Sequence, residues 1–309
     1  MIAPPVPVLS SGDLIADRRY QWALNQLARG DLDGAADILM QAIELAPAFA
    51  AAWFTLGTIL DRQGDRSGAI AAFEHARDHD PSDTRGARLQ LARLGVGEAT
   101  AQMTRAYVQR LFDQEAHQFD GSLERLSYRA PQLLLAAVTR VLGAPLRIES
   151  MLDLGCGTGL AGAAFRPHTR TLAGVDLSPG MVAEARAKGI YDRLDCGELQ
   201  QVLKLDATAG VTYQLVLAAD VLVYVEGLAD VAKAVARVLA PGGLFAFTVE
   251  THAGEGVVLQ QTLRYAHDAT HVHRALAAAD LKLCVLDQVS TRTENNAWVP
   301  GLLAIAARE

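Results

Sequence analysis

Glycine recurs at every second position in Asp153-Leu154-Gly155-Cys156-Gly157-Thr158-Gly159, and a carboxylate, Asp176, follows 19 positions after Gly157. Glycines lack a Cβ and let the main chain close onto a ligand, while an aspartate offers two oxygens to a pair of neighbouring hydroxyls. Together they describe a grip for a nucleoside. Gly157 to Gly162 also spell G-x-G-x-x-G, which with Asp176 would suit a nicotinamide cofactor. A second group of reactive side chains lies later in the chain: Glu250 and the segment RYAHDATHVH, with Tyr265 and His267. An imidazole titrates near neutrality and can take a proton from a nucleophile. The spacing of His267, His271 and His273 also suits a metal, but no carboxylate or cysteine cluster accompanies it, so no metal is expected. Core packing is the plain alternative for His267.

These residues sit in an alternating pattern. RIESMLDL, TLAGVD, RLDCGE, YQLVLAAD and GGLFAFTVE are short apolar runs separated by helix-like segments such as SPGMVAEARAKG and LADVAKAVARVLAPGG. Such alternation predicts βαβ crossovers and a mostly parallel sheet. LKLCVLDQVST and WVPGLLAIAAR follow without a helix between them and predict a terminal hairpin. In this frame the first strand ends at Leu154, so the turn begins at Gly155. The G-x-G-x-x-G letters are therefore out of register for a dinucleotide enzyme, whose first glycine follows the strand directly.

In proper register the run reads D-x-G-x-G-x-G, and with AGVDLSPGMVAEARAKG, VLAADVLVYV and VLAPGGLFAFTVE it resembles the class I S-adenosylmethionine-dependent methyltransferases over about residues 105–308. The resemblance implies a Rossmann-like α/β domain, a mostly parallel seven-stranded sheet ending in an antiparallel hairpin. It implies S-adenosylmethionine as cofactor and S-adenosylhomocysteine as product. Asp153, Gly155, Cys156, Gly157 and Gly159 would then form the cofactor turn, and Asp176 would take the ribose hydroxyls. Leu177 and Met181 would enclose the adenine, with core packing as the alternative. Glu198, beside Leu199, would face the adenine amino group, with Asp195 as the alternative. Ala219 and Asp220 would contact the methionine amino group or position the acceptor. Phe119-Asp120 stands where many relatives have Tyr-Asp, so Arg129 or Tyr128 would replace the lost hydroxyl, with an ordinary surface arginine as the alternative for Arg129. Glu250, Tyr265 and His267 are the candidates for acceptor contacts or a base. The [DN]-P-P-[YF] signature of enzymes that methylate nucleic-acid bases or glutamine is missing after the fourth strand.

The first hundred residues read differently. A shift of 34 residues aligns Ala35 with Ala69, Leu39 with Phe73, Ala42 with Ala76 and Pro47 with Pro81. The second copy carries Trp53, Leu56, Gly57 and Leu60, where the first has Arg19, Trp22, Ala23 and Gln26. This resembles the tetratricopeptide repeat (TPR), with large residues on the first helix and small ones where helices touch. Asp31 and Asp65 stand where a helix-starting carboxylate belongs. A helix over roughly 84–94 is expected to cap the two repeats. The organisation expected is a flexible arm over 1–12, an all-α TPR-like domain over 13–97, a helical lid or linker over 100–145 and the methyltransferase domain over 146–309.

A net charge of -7 argues against non-specific nucleic-acid binding. No run of about 18 apolar residues suggests a membrane span, and the N-terminus has no signal-peptide pattern. Cys156, Cys196 and Cys284 form no C-x-x-C pair, so a reduced, cytoplasmic setting is expected. The reading is a methyltransferase acting on a small-molecule or carrier-bound acceptor, the repeats serving partner binding or homodimerisation. Two alternatives stay open. One is an adaptor whose cofactor-binding domain is inert; the other is a protein methyltransferase that docks its substrate on the repeats.

Overall fold

The computed structural model describes residues 10–97 and 103–309. The expected arm over 1–12 lies outside the described residues up to residue 9, as does the start of the lid or linker expected over 100–145, up to residue 102. The chain divides into two compact units after Tyr107.

The first unit contains α1 (Leu14–Ala28), α2 (Leu32–Leu45), α3 (Ala50–Gln63), α4 (Arg66–His79) and α5 (Ala87–Arg93). Helices α1 and α2 pack as a pair, as do α3 and α4, and α5 covers α4. Each repeat turns on an aspartate: Gly34 N–H donates to Asp31 and Gly68 N–H to Asp65, both at 2.9 Å, which satisfies N–H groups a helix start leaves open. Tyr20, Leu39, Phe49, Ala52 and Ile59 make one core and Phe73, Leu91 and Leu94 another. Gly57 lies so close to Phe73 that a Cβ there would sit 2.9 Å from the ring. The repeat alignment pairs Trp22 with buried Leu56, yet Trp22 is 56% exposed. Trp53 is only partly buried: its indole stacks on His75 at 4.3 Å and donates to the Pro47 carbonyl at 2.8 Å.

Helix α6 (Arg105–Glu115) contains the division between units; the second unit continues with α7 (Phe119–Arg125) and α8 (Ala130–Leu142). A short 3₁₀ turn at Ala116–Gln118 separates α6 from α7. Alternation follows: β1 (Ile148–Leu154), α9 (Leu160–Phe165), β2 (Thr169–Asp176), α10 (Pro179–Ala187), β3 (Arg193–Cys196), α11 (Leu199–Thr208), β4 (Tyr213–Ala218), α12 (Leu228–Val238) and β5 (Leu239–Glu250). A short hairpin, β6 (Val257–Leu259) and β7 (Tyr265–His267), leads to α13 (Ala269–Ala277), β8 (Leu281–Val289), the ribbon β9 (Thr293–Glu294) and β10 (Ala297–Trp298), and β11 (Gly301–Arg308).

The main sheet has the order β3-β2-β1-β4-β5-β11-β8. β1 lies parallel to β2 and β4, so the strand order reverses beside it, where open α/β sheets bind ligands. The terminal hairpin forms, with β11 inserted antiparallel between β5 and β8. β6 and β7 are additional: β7 joins the end of β5 through Glu250 and Ala266. Helices cover both faces. Val231, Val235 and Leu276 pack on one, and Leu134, Val138 and Phe165 on the other.

Candidate active site

The glycine turn leaves the carboxyl end of β1. Gly155 has φ +63 and Gly159 φ +92, in the left-handed region where glycine costs least. At Gly155 space demands it as well, since a Cβ there would lie 2.7 Å from Val221 Cγ1. Cys156 N–H donates to the Val175 carbonyl at 2.9 Å, which ties the turn to β2. Asp176 ends that strand and is 8% exposed. Its Oδ2 accepts from Gly157 N–H at 2.8 Å and its Oδ1 from Ser178 N–H at 2.9 Å. Burial still raises its pKa, against the pull of those two amides. Ser178 caps α10, accepting from Met181 N–H at 3.0 Å.

Asp153 lies one residue before the strand end. Its carboxyl is buried and accepts the Tyr191 hydroxyl at 2.7 Å. Burial lifts its pKa to about 7, and the Cys156 thiol is pushed up for the same reason.

Two carboxylates hold the preceding helices to this face. Asp113 accepts from the Ser178 hydroxyl at 2.5 Å and from Gly180 N–H at 3.1 Å. Asp120 accepts from the Thr158 hydroxyl and pairs with Lys188 at 2.8 Å. Neither partnership follows from local pattern, because each spans more than 35 residues of sequence. Phe119 lies 3.8 Å from where a Gly157 side chain would begin, and Phe112 packs edge-on against Tyr224 at 5.1 Å between centroids.

The remaining expected contacts divide. Leu177 is half-buried beside Asp176, whereas Met181 is fully buried and packs in the core. Glu198 caps α11, accepting from Gln200 and Gln201 N–H at 3.1 and 2.9 Å; Leu199 opens that helix. Asp195 pairs with Arg193 at 2.9 Å. Ala219 and Asp220 follow β4, and Asp220 holds φ +54 while exchanging hydrogen bonds with Thr248: its N–H donates at 2.8 Å and its Oδ1 accepts at 2.6 Å.

Three expectations need correction. Arg129 does not face the cofactor turn: its Nε donates to the Ser290 carbonyl at 2.9 Å, and its guanidinium lies 4.4 Å from the centroid of Trp298. Its neighbour Tyr128 does lie among the site charges, and burial with Asp220 and Asp153 nearby raises its phenol pKa. Tyr265 and His267, expected to face the pocket, are fully buried in β7. Both nitrogens of His267 lack a hydrogen-bond partner, and burial, reinforced by His271, lowers its pKa to about 4. A neutral, enclosed imidazole of that kind is a poor candidate for the acceptor base. Among the described residues no group of three or more His, Cys, Asp or Glu side chains could hold a metal ion.

Glu250 lies where the sequence puts it, at the end of β5, but in unforeseen company. It pairs with Arg292, which also lies 3.6 Å from Asp220, and with Arg264 at 3.8 Å; Arg264 pairs in turn with Glu294 at 2.9 Å. Arg292 is 5% exposed. Arg264 opens the RYAHDATHVH segment, whereas Arg292 carries no motif; its buried position in a polar loop is visible only in three dimensions.

Residues 152–245 match the family described as Methyltransferase domain, and residues 26–94 the one described as Tetratricopeptide repeat. The chain carries a methyltransferase domain behind TPR repeats. Among curated relatives, human methyltransferase-like protein 27 is 42% identical over 91 residues, 29% of this chain and 37% of that protein. A malonyl-[acyl-carrier protein] O-methyltransferase of Enterobacter lignolyticus is 29% identical over 42% of this chain and 50% of its own length. The chain therefore spans about half or less of these two relatives. In fold, the methyltransferase domain is similar to the Burkholderia thailandensis 1,6-didemethyltoxoflavin-N1-methyltransferase, solved with bound 1,6-didemethyltoxoflavin and S-adenosylhomocysteine. That structure has a TM-score of 0.52 and 19% identity over 66% of this chain and 88% of that one.

Proposed function

We propose that the chain is an S-adenosylmethionine-dependent methyltransferase acting on a small-molecule or carrier-bound acceptor. The repeats serve as a site for a protein partner or a second copy. The observation that supports this most is the glycine turn after β1 facing Asp176 at the end of β2. The turn leaves space above Gly157, with nothing closer than 3.8 Å to its missing Cβ. Each Asp176 oxygen accepts one backbone N–H and keeps a further lone-pair direction for a ribose hydroxyl. The residues fit the donor.

When bound, S-adenosylmethionine supplies an electrophilic methyl group on a positively charged sulfur. Gly155 to Gly159 would hold its methionine and ribose portions, Asp176 the ribose hydroxyls, and Leu177 one face of the adenine. Asp220 and Glu250, at the ends of β4 and β5, face the acceptor side. Most of the catalytic gain comes from aligning acceptor and methyl carbon. Free cysteines and the absence, among the described residues, of a helix long and apolar enough to cross a membrane suit the cytoplasm.

Calorimetry with S-adenosylhomocysteine tests the reading. Micromolar binding is expected, and Asp176→Ala should weaken it about 100-fold or more, since two charge-assisted hydrogen bonds contribute roughly 1.5–3 kcal/mol each. A folded chain that does not bind the nucleoside would refute it.

A further inference from the structure

The charges at the ends of β4 and β5 do not balance. Guanidinium groups of Arg264 and Arg292 face the carboxylates of Asp220, Glu250 and Glu294, which leaves one negative charge in excess. Two oxygens in this group, Asp220 Oδ2 and Glu250 Oε2, are buried without a hydrogen-bond partner, although Glu250 is only 3% exposed. Arg292 Nη1 approaches Asp220 Oδ2 to 3.6 Å without bonding it. A buried carboxylate oxygen left unpaired is costly, so the geometry calls for a donor from outside. The side chains of Arg264 and Glu294 remain 24% and 33% exposed, so the cluster opens to solvent on their side.

We infer that this cluster binds a protonated amine, and that the methyl acceptor is therefore an amine nitrogen; this rests on the methyltransferase reading above. With the donor's own ammonium held elsewhere, the charge count favours one acceptor class. A carboxylate would add a second uncompensated charge, and both guanidiniums are already engaged. A hydroxyl would leave the excess in place. An ammonium cancels it and supplies the N–H donors that Asp220 Oδ2 and Glu250 Oε2 lack. Tyr224 borders the cluster, its hydroxyl accepting from Arg264 Nε at 3.4 Å. For transfer, the ammonium gives one proton to Asp220 or Glu250, which frees its lone pair. One C–N bond then forms as one C–S bond breaks with its electrons left on sulfur, and one proton is released overall.

The test uses the full chain and benzylamine, benzyl alcohol and benzoate as probes, titrated by calorimetry with and without saturating S-adenosylhomocysteine. Benzylamine should bind at least about tenfold tighter than benzyl alcohol, with benzoate weakest. Glu250→Gln should lower benzylamine affinity about tenfold and leave S-adenosylhomocysteine affinity unchanged. Glu294→Gln, at a more exposed position, should act in the same direction should Glu250→Gln fail to fold. Benzoate or benzyl alcohol binding as tightly as benzylamine, or no benzylamine binding, would overturn the proposal. So would a parallel loss of nucleoside affinity in Glu250→Gln, which would assign the excess charge to the donor. Failure of the nucleoside to bind refutes the methyltransferase reading instead; the arm without nucleoside still reports on the amine.

Discussion

Replacing Asp153 by asparagine should stabilise the protein, and more so at higher pH. The Asp153 carboxyl is 1% exposed, and its folded pKa stands at about 7 against an ordinary 3.8, because burial outweighs the hydrogen bond from Tyr191. A carboxyl that holds its proton more tightly folded than unfolded loses stability as pH rises from 3.8 to about 7. At about 1.4 kcal/mol per pH unit, the full loss is about 4 kcal/mol. Roughly 2 kcal/mol of that is already lost at pH 5, and all of it at pH 8. Asparagine has nearly the same shape, does not titrate, and its amide oxygen can accept the Tyr191 hydroxyl. The stability gap between Asp153→Asn and wild type should therefore widen by about 2–3 kcal/mol between pH 5 and pH 8. Urea unfolding followed by circular dichroism measures the gap, and amide exchange over β1 gives the local reading. Two unfolding curves that shift in parallel with pH would refute the reasoning.

His267 has the opposite sign. Its pKa lies at about 4 against 6.5, so stability falls as pH drops between those values, by about 3 kcal/mol in all. His267→Leu should lose that acid sensitivity, its urea midpoint rising relative to wild type from pH 7 to pH 5. In the first unit, Gly57→Ala would press a methyl against the Phe73 ring. It should cost about 1–3 kcal/mol, read as a lower thermal midpoint; an unchanged midpoint would mean that the paired helices can separate freely.

What was legible in the sequence was local. Asp31 and Asp65 cap their helices because a cap needs only its next three residues. Gly155 to Gly159 could be placed because an apolar strand ends beside them, and the opposed ends of β1 and β2 bring Asp176 across. Glu198 shows the ambiguity: a carboxylate just before a helix is equally a cap and a ligand contact, and its oxygens accept the first amides of α11. Tyr265 and His267 are buried, His267 in keeping with its core alternative, and sequence cannot separate the two readings because a three-residue strand has no readable period; β7 is recognised only by its pairing with Glu250's strand. Arg264, Arg292 and Glu294 come from connections after β5, and nothing in their neighbours' types announces that they converge on one carboxylate.

The placement of β11 has a consequence for biosynthesis. The strand made last of those described, residues 301–308, is an inner strand, flanked by β5 and β8. Synthesis runs from the amino end, so β5 emerges with an unpaired edge and β8 has no neighbour in the main sheet until Gly301–Arg308 has left the ribosome. A nascent chain stalled before residue 301 would expose two apolar edges together, a species prone to sticking to its like. The end of β5, at Glu250, is zipped by the first residue of that strand, Gly301. Order at the Glu250 end of β5 should thus appear only after translation of residues 301–308, and not gradually as the glycine turn and its aspartate fold.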